Sequence, residues 1–381
     1  MMLLGLVLHS AISYGVIEYG AAWPYKDTST NALLDVVVFF IHIFRMPIFY
    51  AMAGFFAAML YLRRGPGGLA RNRATRILVP FVIGWIVLFP PILLGFVFSQ
   101  ASRAGTIADA LNAVSARIAS GELYLDGTAH LWFLEYLLLL YVAALLAAPA
   151  VRRLPASWRS GTLNLFEKLM RSRLRPLWFA LPTALTLCFM SYGGLDTSSS
   201  FVPAPRILIA YGVFFFFGWL LYLRQQLVPS FTRHAWLQVI LALLIMPFNY
   251  FAIGWLFDAA NPGSVKAFAV IVATTALMIW LLLFGITGLF IRYLDRQIPL
   301  VRYIVDASYW LYLIHLPFTI WVPGFLAGLA WPALLKAAAV FLISSPFWLL
   351  SYHLCVRATF IGKLLNGRRY PLRMPAGDAA G

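Results

Sequence analysis

The chain has 381 residues, of which 62% are hydrophobic and 11% are charged, and its formal net charge is +16. Soluble globular proteins carry about 25% charged residues, so this composition excludes a soluble fold and indicates an integral membrane protein. The positive charge does not indicate a nucleic-acid partner, because lysine and arginine lie in short loops between hydrophobic segments. The two cysteines, Cys188 and Cys355, offer neither a disulfide framework nor a zinc-binding spacing. We therefore predict contacts with membrane lipid and no metal site.

Ten hydrophobic segments follow one another along the chain, close to the length of about 20 residues with which a helix crosses a bilayer. They predict an all-α, polytopic membrane protein with one membrane domain over residues 1–357. The basic remainder, 358–381, is predicted to be a cytoplasmic tail with a disordered end. The predicted spans are 2–22, 33–62, 77–99, 130–150, 175–192, 205–223, 235–257, 266–291, 303–325 and 332–355.

Basic residues concentrate in every second connection between the spans. The loops at 63–76 and 151–175 hold five and seven of them, whereas the odd-numbered loops hold four in total. Lysine and arginine favour cytoplasmic loops, so the asymmetry predicts that both termini are cytoplasmic and that the odd-numbered loops face outward. Within loop 3, the second of these outer loops, apolar residues at 107–118 have helical spacing and predict a short interfacial helix.

The first span contains a histidine, His9, well inside the hydrocarbon region of a membrane helix. One interpretation is structural, because an intramembrane histidine often forms a hydrogen bond with a neighbouring helix. The other is catalytic, because imidazole titrates near neutral pH and takes a proton from a hydroxyl group as a general base. Taken alone, the residue favours neither interpretation.

The second span reads FFIHIFRMPIFYAMAGFF over residues 39–56 and carries a charge near its middle. An arginine at this depth costs about 2.5–3.5 kcal/mol on insertion scales, so Arg45 is expected to face a protein interior. Asp35, His42 and Arg45 fall at i, i+7 and i+10, on one face of a helix. They predict either a buried ion-pair network or a positive site that stabilises developing negative charge. Pro47 removes a backbone donor and should loosen the helix there, which favours a cavity.

Two arginines, Arg73 and Arg76, lie at the cytoplasmic entry of the third span in the sequence RNRATRILVPF. The simplest interpretation is anchoring at the membrane surface by basic residues. The alternative is binding of a phosphate group, because two arginines three residues apart share a helical face and can make forked contacts with phosphate oxygens. Without further context, anchoring is the preferred interpretation.

The fourth span begins AHLWFLEYLLLLY and contains His130 and Glu135. The two residues are five apart and therefore do not share a narrow helical face. A carboxylate at the depth of Glu135 needs a partner, and Arg45 is one candidate. For this pair the structural and the functional interpretation have equal weight.

The ninth span contains the sequence SYWLYLIHLPF, with His315 in its middle. Tyr312 lies three residues earlier and shares its helical face. A packed, hydrogen-bonded core histidine is slightly favoured here over a functional one. No nucleotide-binding loop, metalloprotease helix or nucleophile elbow is present in the sequence.

Together these segments resemble the acyltransferase 3 family of membrane acyltransferases, and in particular its periplasmic glucan succinyltransferase branch. The matching segments run in family order across nearly the whole chain, and the family also has ten spans. No single segment is specific, whereas the ordered set is. The segments are LLGLVLHSA, FFIHIFRMPIFYAMAGFF, RATRILVPF, HLWFLEYLLLLY, FFFFGWLLY, SYWLYLIHLP and YHLCVRATFIGKLLNGRR.

The resemblance implies a bacterial inner-membrane enzyme that uses acyl-coenzyme A as cytoplasmic donor and holds no permanently bound cofactor. The acceptor it implies is a hydroxyl group of a periplasmic glucan or other glycan. The family's first-helix histidine corresponds to His9, and its RxxR pair to Arg73 and Arg76, which strengthens the phosphate-binding interpretation of that pair. The family pattern also includes an arginine eleven residues before the histidine, and the corresponding position lies upstream of Met1.

These implications lead to one mechanistic expectation and one alternative. We expect His9 to act as general base, Arg45 and His42 to orient the thioester or stabilise its oxyanion, and Arg73 and Arg76 to hold the phosphates of coenzyme A. The alternative is a transporter or flippase for a saccharide or lipid-linked glycan, which also explains intramembrane charge. Transport would release no free thiol from acyl-coenzyme A, and this difference separates the two.

Overall fold

The computed structural model describes residues 2–123, 127–198, 200–258, 264–294 and 298–372, and within these ranges every regular element is helical. The α-helices are α1 (Met2–Ala11), α2 (Ala32–Arg73), α3 (Val79–Ala104), α4 (Ile107–Ala119), α5 (Trp132–Arg153), α6 (Ala156–Arg171), α7 (Arg175–Leu187), α8 (Pro205–Leu223), α9 (Ala235–Leu256), α10 (Val265–Tyr293), α11 (Pro299–Leu326), α12 (Ala333–Ser351) and α13 (Phe360–Asn366). Shorter helical turns are 3₁₀-helical at Ile12–Tyr14, Gly20–Ala22, Ala129–Leu131 and Gln225–His234 and π-helical at Ala74–Leu78 and Tyr352–Val356.

Seven stretches of the described residues are long and apolar enough to cross a membrane, so the chain is a polytopic helical membrane protein. The first stretch, Ala32–Ala104, contains both α2 and α3. Each of the ten predicted spans overlaps a helix, but α1 and α7 have only 10 and 13 residues, and α1 covers only the first half of the span 2–22. The count of ten and the orientation of the termini therefore stay predictions.

The turn between α2 and α3 is tighter than the sequence predicted. Residues 63–76 were expected to form a loop, yet they are helical apart from Gly65, whose φ is 71°. Glycine adopts this left-handed conformation without strain, and Pro66 is well suited to begin the helical segment that follows. A single residue therefore makes the turn, and Arg73 and Arg76 lie on a helix that continues through a π-turn into α3.

Close contact between α2 and α8 fixes the helix that carries His42 and Arg45. Gly54 of α2 lies against the backbone of Phe215, and Gly218 of α8 lies against the backbone of Ala51. A side chain at either glycine would overlap a carbonyl oxygen of the facing helix. Small residues at such positions let two membrane helices approach closely and gain van der Waals contact.

Different connections between the helices lie at the two ends of the bundle. At one end lie the connections that follow α1, α3, α7 and α11, and we call it the cavity end. At the other lie the connections that follow α5 and α8 and the segment after α12, together with Arg73 and Arg76, and we call it the RxxR end. The predicted orientation places the cavity end outside the membrane and the RxxR end in the cytoplasm.

A buried ion pair holds the cavity end together. Nζ of Lys336, on α12, lies 2.9 and 3.0 Å from the two carboxylate oxygens of Asp27, and both side chains are 1% exposed. The Tyr25 hydroxyl and the Ser29 N–H also donate to this carboxylate, at 3.1 and 2.8 Å. A buried ion pair needs such additional hydrogen bonds to offset its desolvation. The pair therefore fixes the connection after α1, which carries Trp23, against α12.

The predicted interfacial helix is present as α4. It begins with a capping box, in which the Thr106 hydroxyl accepts from the Asp109 N–H and the Asp109 carboxylate accepts from the Thr106 N–H. Hydrogen bonds from the backbone and side chain of Thr106 lower the pKa of the Asp109 carboxyl. This reciprocal pairing satisfies two donors at the start of the helix.

The C-terminal segment packs on the RxxR end as far as residue 372. Asn366, the last residue of α13, donates from Nδ2 to the carbonyl oxygen of Asp306 at 2.9 Å, and the Tyr370 hydroxyl donates to the Asp306 carboxylate at 2.8 Å. The end of the predicted tail, 373–381, lies outside the described residues, so its disorder stays a prediction.

Candidate active site

A cavity of about 740 Å³ opens among α1, α2, α8, α9 and α11 and the connections of the cavity end. It brings together seven of the ten residues that the sequence singled out, from four separate segments of the chain. Glu135, Arg73 and Arg76 do not line it. The seven are His9, Asp35, His42, Arg45, His130, Tyr312 and His315.

His9 occupies the wall of this cavity at the last turn of α1. Its ring stacks on Trp23 with centroids 5.4 Å apart and an interplanar angle of 23°, and it lies 5.1 Å from the ring of His315. The indole Nε1 of Trp23 donates to the Ser13 hydroxyl at 2.9 Å, which fixes the stacking partner. Nδ1 of His9 is buried without a hydrogen-bond partner, while the side chain as a whole is partly exposed to the cavity. Ring contacts therefore hold the imidazole in place, and no hydrogen bond within the described residues occupies its nitrogens.

Arg45 is the fixed positive charge of the cavity. Its guanidinium lies against the backbone of Gly5, one helical turn before His9, where a side chain would overlap Nη1. It forms no ion pair with any acidic residue in the described part of the chain, and its Nε is buried without a partner. An unpaired guanidinium in a largely apolar cavity attracts an anionic ligand or developing negative charge.

The helix α2 is not distorted at Pro47, where the sequence predicted that it would be loosened. Pro47 is buried inside α2, and Gly65 is the one residue of this helix with non-helical backbone angles. The packing of α2 on neighbouring helices therefore keeps it continuous past the proline. The cavity beside Arg45 arises from the arrangement of several helices rather than from a break in one of them.

Asp35 has a structural contact rather than a pairing with the cations of its own helix. Its carboxylate accepts hydrogen bonds from the N–H groups of Val16 and Ile17 at 2.6 and 3.2 Å. It thereby ties the start of α2 to the connection after α1. The ion-pair network proposed for Asp35 and Arg45 is not formed, although both line the cavity.

His42 faces the cavity from the opposite wall. Its Nε2 lies 3.4 Å from the carbonyl oxygen of Leu195, in the connection after α7. Because a carbonyl oxygen only accepts, this nitrogen carries the proton and the other one has the lone pair. The long distance makes this a weak contact, and His42 stays available to a ligand.

His130, Tyr312 and His315 form a hydrogen-bonded unit between the segment before α5 and the middle of α11. The Tyr312 hydroxyl donates to the carbonyl of His130 at 2.8 Å, and Nε2 of His130 lies 2.9 Å from the carbonyl of Leu313. Nδ1 of His315 lies 2.7 Å from the carbonyl of Tyr312. Ala129, directly before His130, has a φ of 45°, which is uncommon for a residue with a Cβ atom and marks local backbone strain.

Glu135 lies away from this group. It is half-buried on α5, and its Oε2 is buried without a hydrogen-bond partner. Its suggested partner, Arg45, forms no ion pair with it. The structure thus separates Glu135 from His130, with which the sequence had grouped it.

Arg73 and Arg76 lie at the RxxR end and contact protein groups. The Arg73 guanidinium lies 4.6 Å from the ring centroid of Tyr141, and its Nε is buried without a partner. Nε of Arg76 donates to the carbonyl of Leu365, in α13, at 3.2 Å. The Tyr309 hydroxyl donates to the Arg76 carbonyl at 2.9 Å. Both arginines therefore belong to a second region, separate from the cavity.

Several cavity residues escaped prediction from the sequence. Trp23 is the main one, and Asp196 is another: its carboxylate lies 3.3 Å from the Arg206 guanidinium and accepts from the N–H and hydroxyl of Ser191 at 3.0 and 2.8 Å. Trp23 lies in a connection, where hydrophobic periodicity carries no information. Asp196 is an acidic residue in a short connection between two apolar segments, and this isolated charge was a signal that could have marked it.

Comparison with known proteins gives one family and a set of related chains. The sequence profile of the acyltransferase domain family, acyltransferase 3, matches residues 1–353. Similar proteins named glucans biosynthesis protein C occur in Salmonella paratyphi B and Salmonella enteritidis PT4, each 25% identical over 351 residues. The alignment covers 86% of this chain and 81% of each relative. No solved structure matches the chain at a significant level.

Proposed function

This chain belongs to the acyltransferase 3 family, and on that premise we propose that it transfers an acyl group from cytoplasmic acyl-coenzyme A to a hydroxyl group of a periplasmic glycan. The chain is a multi-pass membrane acyltransferase. Beyond this activity, we propose the identity of the acyl donor, the identity of the acceptor, and the bacterial inner membrane as the location of the protein. The relatives' name, glucans biosynthesis protein C, supports a glucan as acceptor, and the resemblance to the succinyltransferase branch favours succinyl as the group transferred.

One observation carries the proposal: a partly exposed histidine and an unpaired arginine face the same cavity. His9 supplies an imidazole whose nitrogens form no hydrogen bond within the described residues, and Arg45 supplies a positive charge without an acidic partner among them. Acyl transfer to a hydroxyl group needs a base for the hydroxyl proton and a donor for the oxyanion of the tetrahedral intermediate. The cavity contains both.

The reaction proceeds by addition and elimination at the thioester carbonyl. The imidazole of His9 accepts the proton of the acceptor hydroxyl while the hydroxyl oxygen forms a bond to the carbonyl carbon. The guanidinium of Arg45 stabilises the negative charge on the carbonyl oxygen, and Nε2–H of His42 becomes a second donor when it exchanges its weak contact with the Leu195 carbonyl for this oxygen. The carbon–sulfur bond then breaks, and the thiolate of coenzyme A takes the proton from His9.

The donor binds from the RxxR end. Coenzyme A carries phosphate groups, and the two arginines of the RxxR end lie on one helix, where the Arg73 guanidinium lies beside Tyr141 and is suited to forked contacts. The thioester arm then extends toward Arg45 past Tyr309 and Tyr312, whose rings stack with centroids 6.4 Å apart. Asp35, His130, Tyr312 and His315 shape the cavity without taking part in bond formation.

Free thiol release from acyl-coenzyme A tests the proposal directly. Purified protein in nanodiscs is given succinyl-coenzyme A with and without a glucan, thiol is measured by colorimetry, and the glucan is analysed by mass spectrometry. We expect thiol release that requires the glucan and an acylated product of matching mass. A transporter of saccharide would release no thiol. Thiol release without any acylated glycan, or none with a panel of acyl-coenzyme A donors, would contradict the proposal.

A further inference from the structure

His315 is a buried histidine with one unused acceptor nitrogen. Its side chain is 2% exposed, and its Nδ1 lies 2.7 Å from the carbonyl oxygen of Tyr312. A carbonyl oxygen only accepts, so Nδ1 carries the proton and Nε2 has the lone pair. This Nε2 is buried without a hydrogen-bond partner. A buried acceptor without a donor is unfavourable, and its presence calls for an explanation.

The complementary nitrogen lies on the adjacent ring. Nδ1 of His9 is also buried without a hydrogen-bond partner, and the centroids of the two imidazoles are 5.1 Å apart with a tilt of 44°. Two other groups near His9 accept no hydrogen bond from it, because Trp23 contributes only the face of its ring and Arg45 has donors only. Among the imidazoles of the cavity, His315 is in ring contact with His9, so its Nε2 is the natural acceptor for Nδ1–H of His9.

Surrounding hydrogen bonds hold His315 in this orientation. The Tyr312 hydroxyl donates to the His130 carbonyl, and Nε2 of His130 donates to the Leu313 carbonyl at 2.9 Å. The Leu313 carbonyl is available because Pro317, four residues later, has no N–H to donate to it. Pro317 thus leaves the Leu313 carbonyl free to accept the hydrogen bond from His130, and this bond joins α11 to the segment before α5. His315 lies close to these two hydrogen bonds, and the centroid of its ring is 5.2 Å from that of His130.

We propose that His315 is a positioning residue that accepts a hydrogen bond from Nδ1 of His9 and so leaves Nε2 of His9 as the base that faces the acceptor hydroxyl. This inference rests on the proposed function for the role of His9. As the rings stand, the two nitrogens are not hydrogen-bonded. A small rotation of either ring forms the bond in the free enzyme, and the bond tightens further in the substrate complex, as catalytic hydrogen bonds often do. When His9 takes the hydroxyl proton, His315 stabilises the imidazolium through the same bond.

The tautomer of His9 provides a test that does not depend on activity. The chain has six histidines, and protein with ¹⁵N-labelled histidine in nanodiscs at pH 8 gives a small set of ring signals. The difference between the wild-type spectrum and that of His9→Gln assigns His9. We expect its Nδ1 to be protonated and its Nε2 to have the lone pair. A wild-type His9 protonated at Nε2 would overturn the proposal.

Variants of His315 then test the cause. In His315→Phe we expect His9 to lose its Nδ1–H preference, whereas His315→Gln, whose amide oxygen accepts a hydrogen bond, should retain part of it. His353→Phe is the matched control, because His353 lies at the RxxR end against Tyr303. An unchanged His9 tautomer in a folded His315→Phe protein would overturn the assignment. If that variant does not fold, as judged by thermal unfolding, the wild-type spectrum and His315→Gln still decide.

Activity adds the second readout. In the thiol-release assay, His315→Phe should lower kcat by about 10- to 100-fold, the range seen when partners that orient an active-site imidazole are removed at metal sites. KM for the glycan should stay close to its wild-type value, because His315 does not contact the acceptor. A lower kcat together with the loss of the Nδ1–H tautomer of His9 supports a positioning role for His315. A change in KM with no change in kcat contradicts that role. If the wild type releases no thiol but His9 has the expected tautomer, the proposed function is contradicted, whereas the hydrogen bond between His9 and His315 is still supported.

Discussion

Both ends of the bundle present arginines that form no ion pair among the described residues, but the surroundings of these arginines differ. Arg45, at the cavity end, has no acidic partner among the described residues and faces a cavity of about 740 Å³. Arg76, at the RxxR end, donates to the Leu365 carbonyl, and Arg73 stacks on Tyr141. A cation without a partner is available to a reacting group, whereas cations already in contact with protein groups must exchange those contacts for a ligand. The difference indicates chemistry at the cavity end and binding at the RxxR end.

Two tyrosines connect the ends. The Tyr309 hydroxyl donates to the Arg76 carbonyl, and the Tyr309 ring stacks on Tyr312, which lines the cavity. On the proposed function, the thioester arm of a donor held at the RxxR end passes this pair on its way to Arg45. The separation of the two regions therefore suits an enzyme whose donor and acceptor come from opposite sides of the membrane.

Removal of the base should have the largest effect. His9→Gln should lower the rate of acyl transfer by about 10²- to 10⁴-fold, the contribution of general acid–base catalysis, because glutamine cannot take the proton of the acceptor hydroxyl. Thiol release and product mass measure it. His234→Gln is the matched control, since His234 is exposed at the RxxR end. Wild-type activity in a correctly folded His9→Gln protein would remove His9 from the mechanism.

Removal of the fixed charge should follow. Arg45→Gln should lower kcat by about 10²- to 10³-fold, the usual effect of deleting one oxyanion donor. Arg45→Lys keeps the charge without the forked geometry and should recover part of the rate. Arg206→Gln serves as control because that arginine also lines the cavity but has an acidic partner, Asp196, at 3.3 Å. If Arg45→Gln raised only KM for the donor, Arg45 would bind substrate rather than stabilise charge.

Hydropathy in the sequence predicts the long helices of the fold well and the connections between them poorly. Hydropathy located the long apolar helices of the described chain, because burial in lipid requires long apolar runs, but it overestimated the first span, 2–22. The α-helix there ends at Ala11, and the chain turns into a connection held by Asp35 and Lys336. Those contacts join residues far apart in sequence, and neither periodicity nor composition encodes them. The one-residue turn at Gly65 escaped for a similar reason, since RRGPGG is also typical of a loop.

For the site, intramembrane polarity was the useful signal. His9, His42 and Arg45 were singled out because polar groups are costly in hydrocarbon, and the structure does bring them to one cavity. The sequence did not determine the choice of partners. Arg45 was one candidate partner for Glu135, yet no such pair forms among the described residues. Pairing depends on how helices from different parts of the chain are rotated, and spacing within one helix does not determine that.

A change at the RxxR end should affect binding before chemistry. Arg73→Ala should weaken acyl-coenzyme A binding by about tenfold or more, because a hydrogen bond to a charged group contributes about 1.5–3 kcal/mol. Arg73 is preferable to Arg76 for this test, since Arg76 also holds α13 through Leu365. Calorimetry with acyl-coenzyme A gives the Kd directly. Arg64→Ala, at an exposed position near the same turn, is the control, and an unchanged Kd for Arg73→Ala would restore the anchoring interpretation.

The smallest effect is expected where a charge belongs to neither region. Glu135 does not line the cavity and forms no ion pair among the described residues, so Glu135→Gln removes a charge and keeps the shape. We expect the free energy of unfolding to change within about 0.5 kcal/mol and the rate of acyl transfer within about twofold. Thermal unfolding and thiol release measure both. A loss comparable to that of Arg45→Gln would mean that the carboxylate reaches the cavity during turnover, and the separation of the two regions would then not hold in the working enzyme.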